Sequence, residues 1–240
     1  MSIRTTRYAD MELENPFAII GFPGAGLVSS IMPNYYVGQL EMQPIAGMSS
    51  PDMPPYCLIS NGMALPPVRF YGHKGKGKTG RDVIVCMSEY SPKPEHCYDL
   101  CNSILEYLRK MGCEDIICLE GTPRYTPEEV LSVCASGPNA EKMIKKSKLT
   151  RMDGGMIRGT TGVMMYEAPW YGITVTTILC PTTQNMPDPG SAAKMILPFS
   201  KLIPGMKVNT KQLLEEADQI QKKIEEAAAE KQESTAPYFG

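Results

Sequence analysis

The stretch Ile19-Ile20-Gly21-Phe22-Pro23-Gly24-Ala25-Gly26-Leu27-Val28-Ser29-Ser30 decides the fold. A short apolar run over residues 17–20 ends in a glycine-rich turn, and a helical pattern follows. Glycine lets a backbone turn sharply and brings N–H groups to a helix start. The unit reads as strand, turn and helix, the building block of an α/β fold. Its turn is either a cradle for an anion or a tight connection that packs helix on strand. It carries no lysine and fits G-x-G-x-x-G poorly. No acidic residue follows a second strand at the distance a dinucleotide site needs. Close packing is therefore the stronger reading.

Outward from this turn, apolar strand-like runs occur at 17–21, 56–60, 67–71, 82–88, 115–120, 131–135 and 173–180. Helical patterns occur at 26–40, 95–111, 139–147, 155–168, 189–203 and 210–232. Their interleaving predicts an α/β fold, a three-layer α/β/α sandwich with a mixed, mainly parallel sheet covered on both faces. The runs at 82–88 and 115–120 are almost wholly apolar, as strands buried on both faces are. Between them, Cys97, Leu100, Cys101, Ile104, Leu105 and Leu108 form one helical stripe, with Gly112 as a stop. Asp188 is placed to cap a helix that opens with Pro189.

The globular domain is expected over 1–205. A C-terminal helix over 206–232 follows, with Leu213, Ala217, Ile220, Ile224 and Ala227 on a heptad seam. That seam serves either self-association or docking on its own domain. Residues 233–240 read as a mobile tail, since Pro237 ends any helix.

At 240 residues with 42% hydrophobic content, the chain is long enough for one large α/β domain with an appendage. A net charge of -2 argues against a nucleic-acid or anionic-membrane partner. No apolar run approaches a membrane span, and the N-terminus lacks a signal core, so a cytoplasmic protein is expected. The eight cysteines form no C-x-x-C pair and read as reduced core thiols. His96, Cys97 and Cys101 cluster, but His73 is the one other histidine, too few ligands for a metal site. No cofactor is expected.

Residues 72–79, Gly72-His73-Lys74-Gly75-Lys76-Gly77-Lys78-Thr79, match the phosphate-loop pattern letter for letter. The mechanism needs a helix directly afterwards, and here a strand follows. The segment reads as a basic hairpin loop. Glu89 and Glu120 close two strands and are candidates for an acid/base pair, or else for turn hydrogen bonds. Two histidines and no visible nucleophile–base set argue against an enzyme. At the C-terminus, Tyr238-Phe239-Gly240 offers an aromatic anchor and a terminal carboxylate, a pattern suited to insertion in a basic pocket.

Taken together, these residues resemble the proteasome assembly chaperone family in its archaeal and bacterial branch. The resemblance spans roughly 15–205 and rests on the signature turn Gly21, Phe22, Gly24 and Gly26, on Ser50-Pro51, Pro54-Pro55, Tyr98-Asp99-Leu100 and Leu119-Glu120-Gly121. It continues through Gly155-Met156-Ile157-Arg158-Gly159-Thr160-Thr161-Gly162, Gly172-Ile173, Pro187-Asp188-Pro189 and Ala192-Ala193. It implies a phosphorylase/hydrolase-like α/β/α domain that self-assembles and helps build, or docks on, the 20S proteasome or its α-subunits without ATP hydrolysis. It also implies that the tail Tyr238–Gly240 enters pockets between α-subunits, although Phe239 stands where archaeal relatives can carry tyrosine. The alternative is an ATP-grasp-like or nucleoside-phosphorylase-like enzyme with a phosphorylated or nucleoside ligand near Gly21–Gly26.

Overall fold

Four apolar runs lie side by side at the centre of one sheet. The computed structural model describes residues 2–75, 80–123, 130–182 and 188–203. Its first elements are β1 (Arg4–Arg7), β2 (Phe17–Gly21), α1 (Val28–Gln39), β3 (Gln43–Ser49), β4 (Leu58–Ser60), β5 (Met63–Leu65) and β6 (Val68–His73). Next come β7 (Val83–Met87), α2 (Pro94–Lys110), β8 (Asp115–Pro123), β9 (Ser132–Ser136) and α3 (Ala140–Ser147). The last are β10 (Thr150–Arg151), α4 (Gly159–Glu167), β11 (Thr174–Thr182) and α5 (Pro189–Leu202).

The main sheet has the order β1-β3-β6-β7-β2-β8-β11-β9-β10, and β4 pairs with β5 apart from it. At the centre, β2 runs parallel to β7 and β8, and β8 runs parallel to β11. The flanks turn antiparallel, with β6, β3 and β1 on one side and β9 on the other. The sheet is mixed, with its parallel pairing concentrated in the middle. Parallel strands need cover on both faces, and the alternation along each strand supplies it. Phe17 and Ile19 join Val28, Met32 and Tyr36 of α1 and Met195 and Phe199 of α5. Ala18 and Ile20 face the other way, against Leu100, Ile104 and Leu108 of α2 and Met164 of α4. A one-residue slip of β2 would exchange these two sets, so register is firmly held. The result is the α/β/α sandwich that the alternating runs predict.

The helix between β7 and β8 is present with its apolar stripe buried. It steps over β2 rather than joining neighbours, because β2 sits between the two strands. Gly112, at φ 77°, ends it, with its N–H donating to the Arg109 carbonyl at 3.0 Å.

The sequence pattern misses β1, β3, β5 and β10. All four residues of β1 are exposed, so no apolar alternation marks it. In β3, Pro44 and Gly47 break the pattern, and the register shifts between Pro44 and Ala46. The run at 56–60 contains only the short β4, which turns through Asn61-Gly62 (φ 48° and 76°) into β5. The patterns at 26–40 and 155–168 shorten to α1 and α4, since Gly26 and Leu27 take φ of 63° and 50° and α4 starts at Gly159. The helix expected at 206–232, with Leu213, Ala217, Ile220 and Ile224, lies outside the described residues. So do the tail residues Tyr238, Phe239 and Gly240.

Two glycines differ sharply in what they permit. A Cβ on Gly121 of β8 would stand 2.1 Å from the Ala25 carbonyl oxygen, whereas one on Gly38 of α1 would meet nothing within 4 Å. Gly121→Ala is expected to lower stability by about 3 kcal/mol or more through backbone displacement. Gly38→Ala is expected to raise it by about 0.5–1 kcal/mol, as alanine does inside a helix. Denaturant unfolding of both variants checks the pair, and equal effects would contradict the described packing.

Candidate functional site

The central parallel strands end at one edge of the sheet, and the signature turn lies across it. Gly21 brings β2 close beneath α1, since a Cβ there would stand 2.6 Å from Cγ of Pro33. Phe22 is buried, and its carbonyl accepts from the Ser29 hydroxyl at 2.6 Å. Gly26 rests on β11, where a Cβ would lie 2.1 Å from Oγ1 of Thr182. Asp188 fastens the arrangement. Its N–H donates to the Gly26 carbonyl at 2.8 Å, and its Oδ2 accepts from Thr182 at 2.9 Å. Its Oδ1 accepts from the Ser191 N–H at 2.9 Å, which is the helix cap that the sequence predicts.

Gly24 carries the chemical content of the turn. A Cβ there would stand 2.8 Å from Oε1 of Glu120. The glycine thus leaves room for a carboxyl group at the end of β8. The other oxygen, Oε2, accepts from Thr161 of α4 at 2.8 Å. Burial pushes the Glu120 carboxyl up to about 7, against the smaller opposing pull of the Thr161 hydrogen bond. An acid seated over the turn repels phosphate whenever it is ionised, so the geometry favours close packing over an anion cradle.

The second acid of the sequence reading has a different fate. Both oxygens of Glu89 are held by Arg69, through Nη1 at 2.7 Å and through Nη2. Arg69 is only 3% exposed and also donates to the Tyr71 hydroxyl and the Pro67 carbonyl, each at 3.1 Å. Glu89 and Glu120 therefore serve separate partners and form no joint acid/base set. The phosphate-loop match joins antiparallel neighbours, with His73 opposite Val83, and its residues 76–79 lie outside the described residues. The Asp82 carboxylate anchors that connection, accepting from the Gly75 N–H at 2.8 Å and the Glu14 N–H at 2.7 Å. The element that follows is a strand, so the helix required by the motif is not there. Cys97 and Cys101 are buried on α2. Among the described residues, no three His, Cys, Asp or Glu side chains come together as metal ligands.

Beside Glu120 the surface opens into a cleft of about 700 Å³, lined by Thr122, Ser132, Met152, Met156 and Arg158 among others. A smaller cavity of about 70 Å³ lies against Phe22, Pro23 and Ser91 and shares Glu120 and Arg158 with the cleft. Neither Thr161 as a partner of Glu120 nor Arg158 as its neighbour in the cleft lining emerges from strand and helix periodicity. Their one signal is the run Gly155–Gly162, in which small and polar residues replace an apolar stripe.

The raised Glu120 value has a consequence for stability. The unfolded value is about 4.3, so between that and about 7 the native state holds a proton that the unfolded chain has lost. Stability is complete below the unfolded value and falls as pH climbs through 7. Glu120→Gln keeps an acceptor for Thr161 and removes this loss. The variant is expected to exceed the parent by up to about 3 kcal/mol at pH 8 and to match it near pH 4. Thermal unfolding across pH checks this, and a constant difference at all pH values would contradict it.

Comparison with known proteins fits this architecture. The model of the PAC2 family matches residues 18–228. An uncharacterized protein of Methanocaldococcus jannaschii is 26% identical over 229 residues, covering 95% of this chain and 91% of its own. The crystal structure of Pyrococcus furiosus PbaA, described as an archaeal homolog of proteasome-assembly chaperone, superposes with a TM-score of 0.80 at 26% identity, covering 98% of this chain and 100% of that one. Pyrococcus furiosus PbaB, described as an archaeal proteasome activator, gives 0.78 at 19% identity over 94% and 98% of the two chains, a likeness of fold. No helix among the described residues is long and apolar enough to cross a membrane. The chain belongs to the PAC2 family.

Proposed function

We propose that this chain is a non-enzymatic, homo-oligomeric factor that docks on the 20S proteasome, or on its α-subunits, and assists its assembly. The observation that carries the reading is the end-to-end likeness to PbaA, in sequence as well as in fold. The state of the two strand-end acids supports it. Glu89 is held by Arg69, and Glu120 by the Thr161 hydroxyl, so among the described residues the two acids do not act together as an acid/base pair. On this reading residues 1–205 are the body and 206–232 the spacer, with Leu213, Ala217, Ile220 and Ile224 on its self-association seam. The tail Tyr238-Phe239-Gly240 is the anchor, and several copies on one oligomer add avidity. Phe239 has no hydroxyl, so the proposal is docking rather than gate opening. The place of action is the cytoplasm, with the partner.

The test is binding of the full-length chain to archaeal-type 20S proteasome and to isolated α-subunits, with the intact complex weighed by native mass spectrometry. Deletion of Tyr238–Gly240 is expected to weaken binding at least tenfold while leaving the oligomer mass per chain in register. Charge placed on the seam by Ile220→Glu with Ile224→Glu is expected to break the oligomer and reduce apparent affinity with it. No binding by the intact chain would overturn the function, and equal binding by the truncated chain would remove the tail from it.

A further inference from the structure

We propose that the cleft between the end of β8 and residues 152–158 is a small-molecule binding site, whose ligand presents N–H donors to Glu120 and an anionic group to Arg158. The first support is size and place. A cleft of about 700 Å³ falls within the roughly 300–1,000 Å³ of ordinary ligand pockets. It lies at the carboxyl ends of β8 and β11, next to β2. The chain leaves β2 for α1 on one face of the sheet and leaves β7 for α2 on the other. That divergence falls between β2 and β7, at the smaller cavity beside Phe22, Pro23 and Ser91, which shares Glu120 and Arg158 with the cleft.

The second support is the state of the two charged groups. Glu120 is largely buried, and among the described residues its one hydrogen bond comes from Thr161. Among the described residues no basic side chain contributes to its ionisation, in contrast to Glu89 with its arginine. A desolvated carboxyl with spare acceptor capacity gains from a ligand ammonium or a paired N–H edge. Arg158 is the complement. Among the described residues its guanidinium forms no ion pair, and its Nε donates to the Met156 sulfur at 3.3 Å, a weak acceptor. A guanidinium with no oxygen acceptor among the described residues, in the lining of a cleft, is suited to carboxylate or phosphate.

Between the two charges the walls are apolar and adaptable. Met152, Ile157 and Leu179 line the cleft, and Met156 stands at its rim with 74% of its surface exposed. Methionine reshapes readily around a ligand body. The hydroxyls of Thr122 and Ser132 add neutral hydrogen-bonding groups. Inorganic phosphate has no ammonium or N–H edge and is repelled by ionised Glu120, so a lone anion is a poor occupant. Two sources carry the required pair of ends. Free amino acids have an ammonium and a carboxylate, and nucleoside monophosphates have a base edge and a phosphate. The site binds without turnover, and it is independent of docking through the C-terminal tail.

The experiment screens the full-length chain by thermal shift against the proteinogenic amino acids, the nucleoside monophosphates and inorganic phosphate, followed by isothermal titration of any hit. At least one amino acid or nucleotide is expected to raise Tm, and the arm that responds names the source. Glu120→Gln and Arg158→Ala are each expected to weaken that ligand at least tenfold. Arg158→Lys is expected to lose less than Arg158→Ala, and Tyr166→Ala, on the outer surface of α4, to leave binding unchanged. The proposal is overturned if neither arm shifts Tm, if inorganic phosphate alone gives the full shift, or if the ligand binds both Glu120→Gln and Arg158→Ala as it binds the parent.

Discussion

The carbonyl oxygen of Ala25 rests where a side chain on Gly121 would stand, and the arrangement of the molecule's upper edge follows from that contact. With no Cβ at 24, 26 or 121, the turn lies flat across the ends of β8 and β11 instead of arching over them. Lying flat, it sets α1 down on one face at once, where Val28 and Met32 enter the core. It also brings the Gly26 carbonyl within reach of Asp188, so that the start of α5 is tied to the start of α1. Three segments far apart in sequence are joined through backbone groups that side chains would separate.

That same edge holds two acids in opposite electrostatic conditions. Glu89 is matched by a buried arginine, whose planar donors satisfy both of its oxygens. Glu120 is desolvated by its surroundings and, among the described residues, has no cation in return. The first arrangement locks β6 to the end of β7. The second leaves an unmet electrostatic demand beside an open cleft. Titratable groups in that condition occur in structural networks as well as at sites. Here a cleft adjoins Glu120, and among the described residues the Arg158 guanidinium in its lining forms no ion pair.

Much of the architecture is legible in the amino-acid order. The apolar runs of β2, β7, β8 and β11 mark strands covered on both faces, and the stripe of α2 with its glycine stop is read almost to the residue. What escapes is the antiparallel flank. β1 has no buried face to advertise, and β3 carries a proline and a glycine that its edge-side position tolerates. The candidate site is half legible. Glu120 can be found as the first polar residue after the apolar run Ile116–Leu119. Thr161 cannot, because it reaches Glu120 only through the packing of α4, and Arg158 joins the cleft lining only through the fold of the residues before α4. The protonation of Glu120 is likewise a product of burial, which no local pattern encodes.

The position of β2 carries a consequence for how the chain acquires its shape. β2 is the first of the central strands to leave the ribosome, yet its neighbours on both sides are made much later. Phe17 pairs with Val83 on one edge and with Asp115 on the other. Until both arrive, a wholly apolar strand has nothing to bond with. Such long-range pairing is paid for in loop entropy before any contact rewards it. Completing the centre of the sheet thus requires two strands distant in sequence from β2, one on each of its edges.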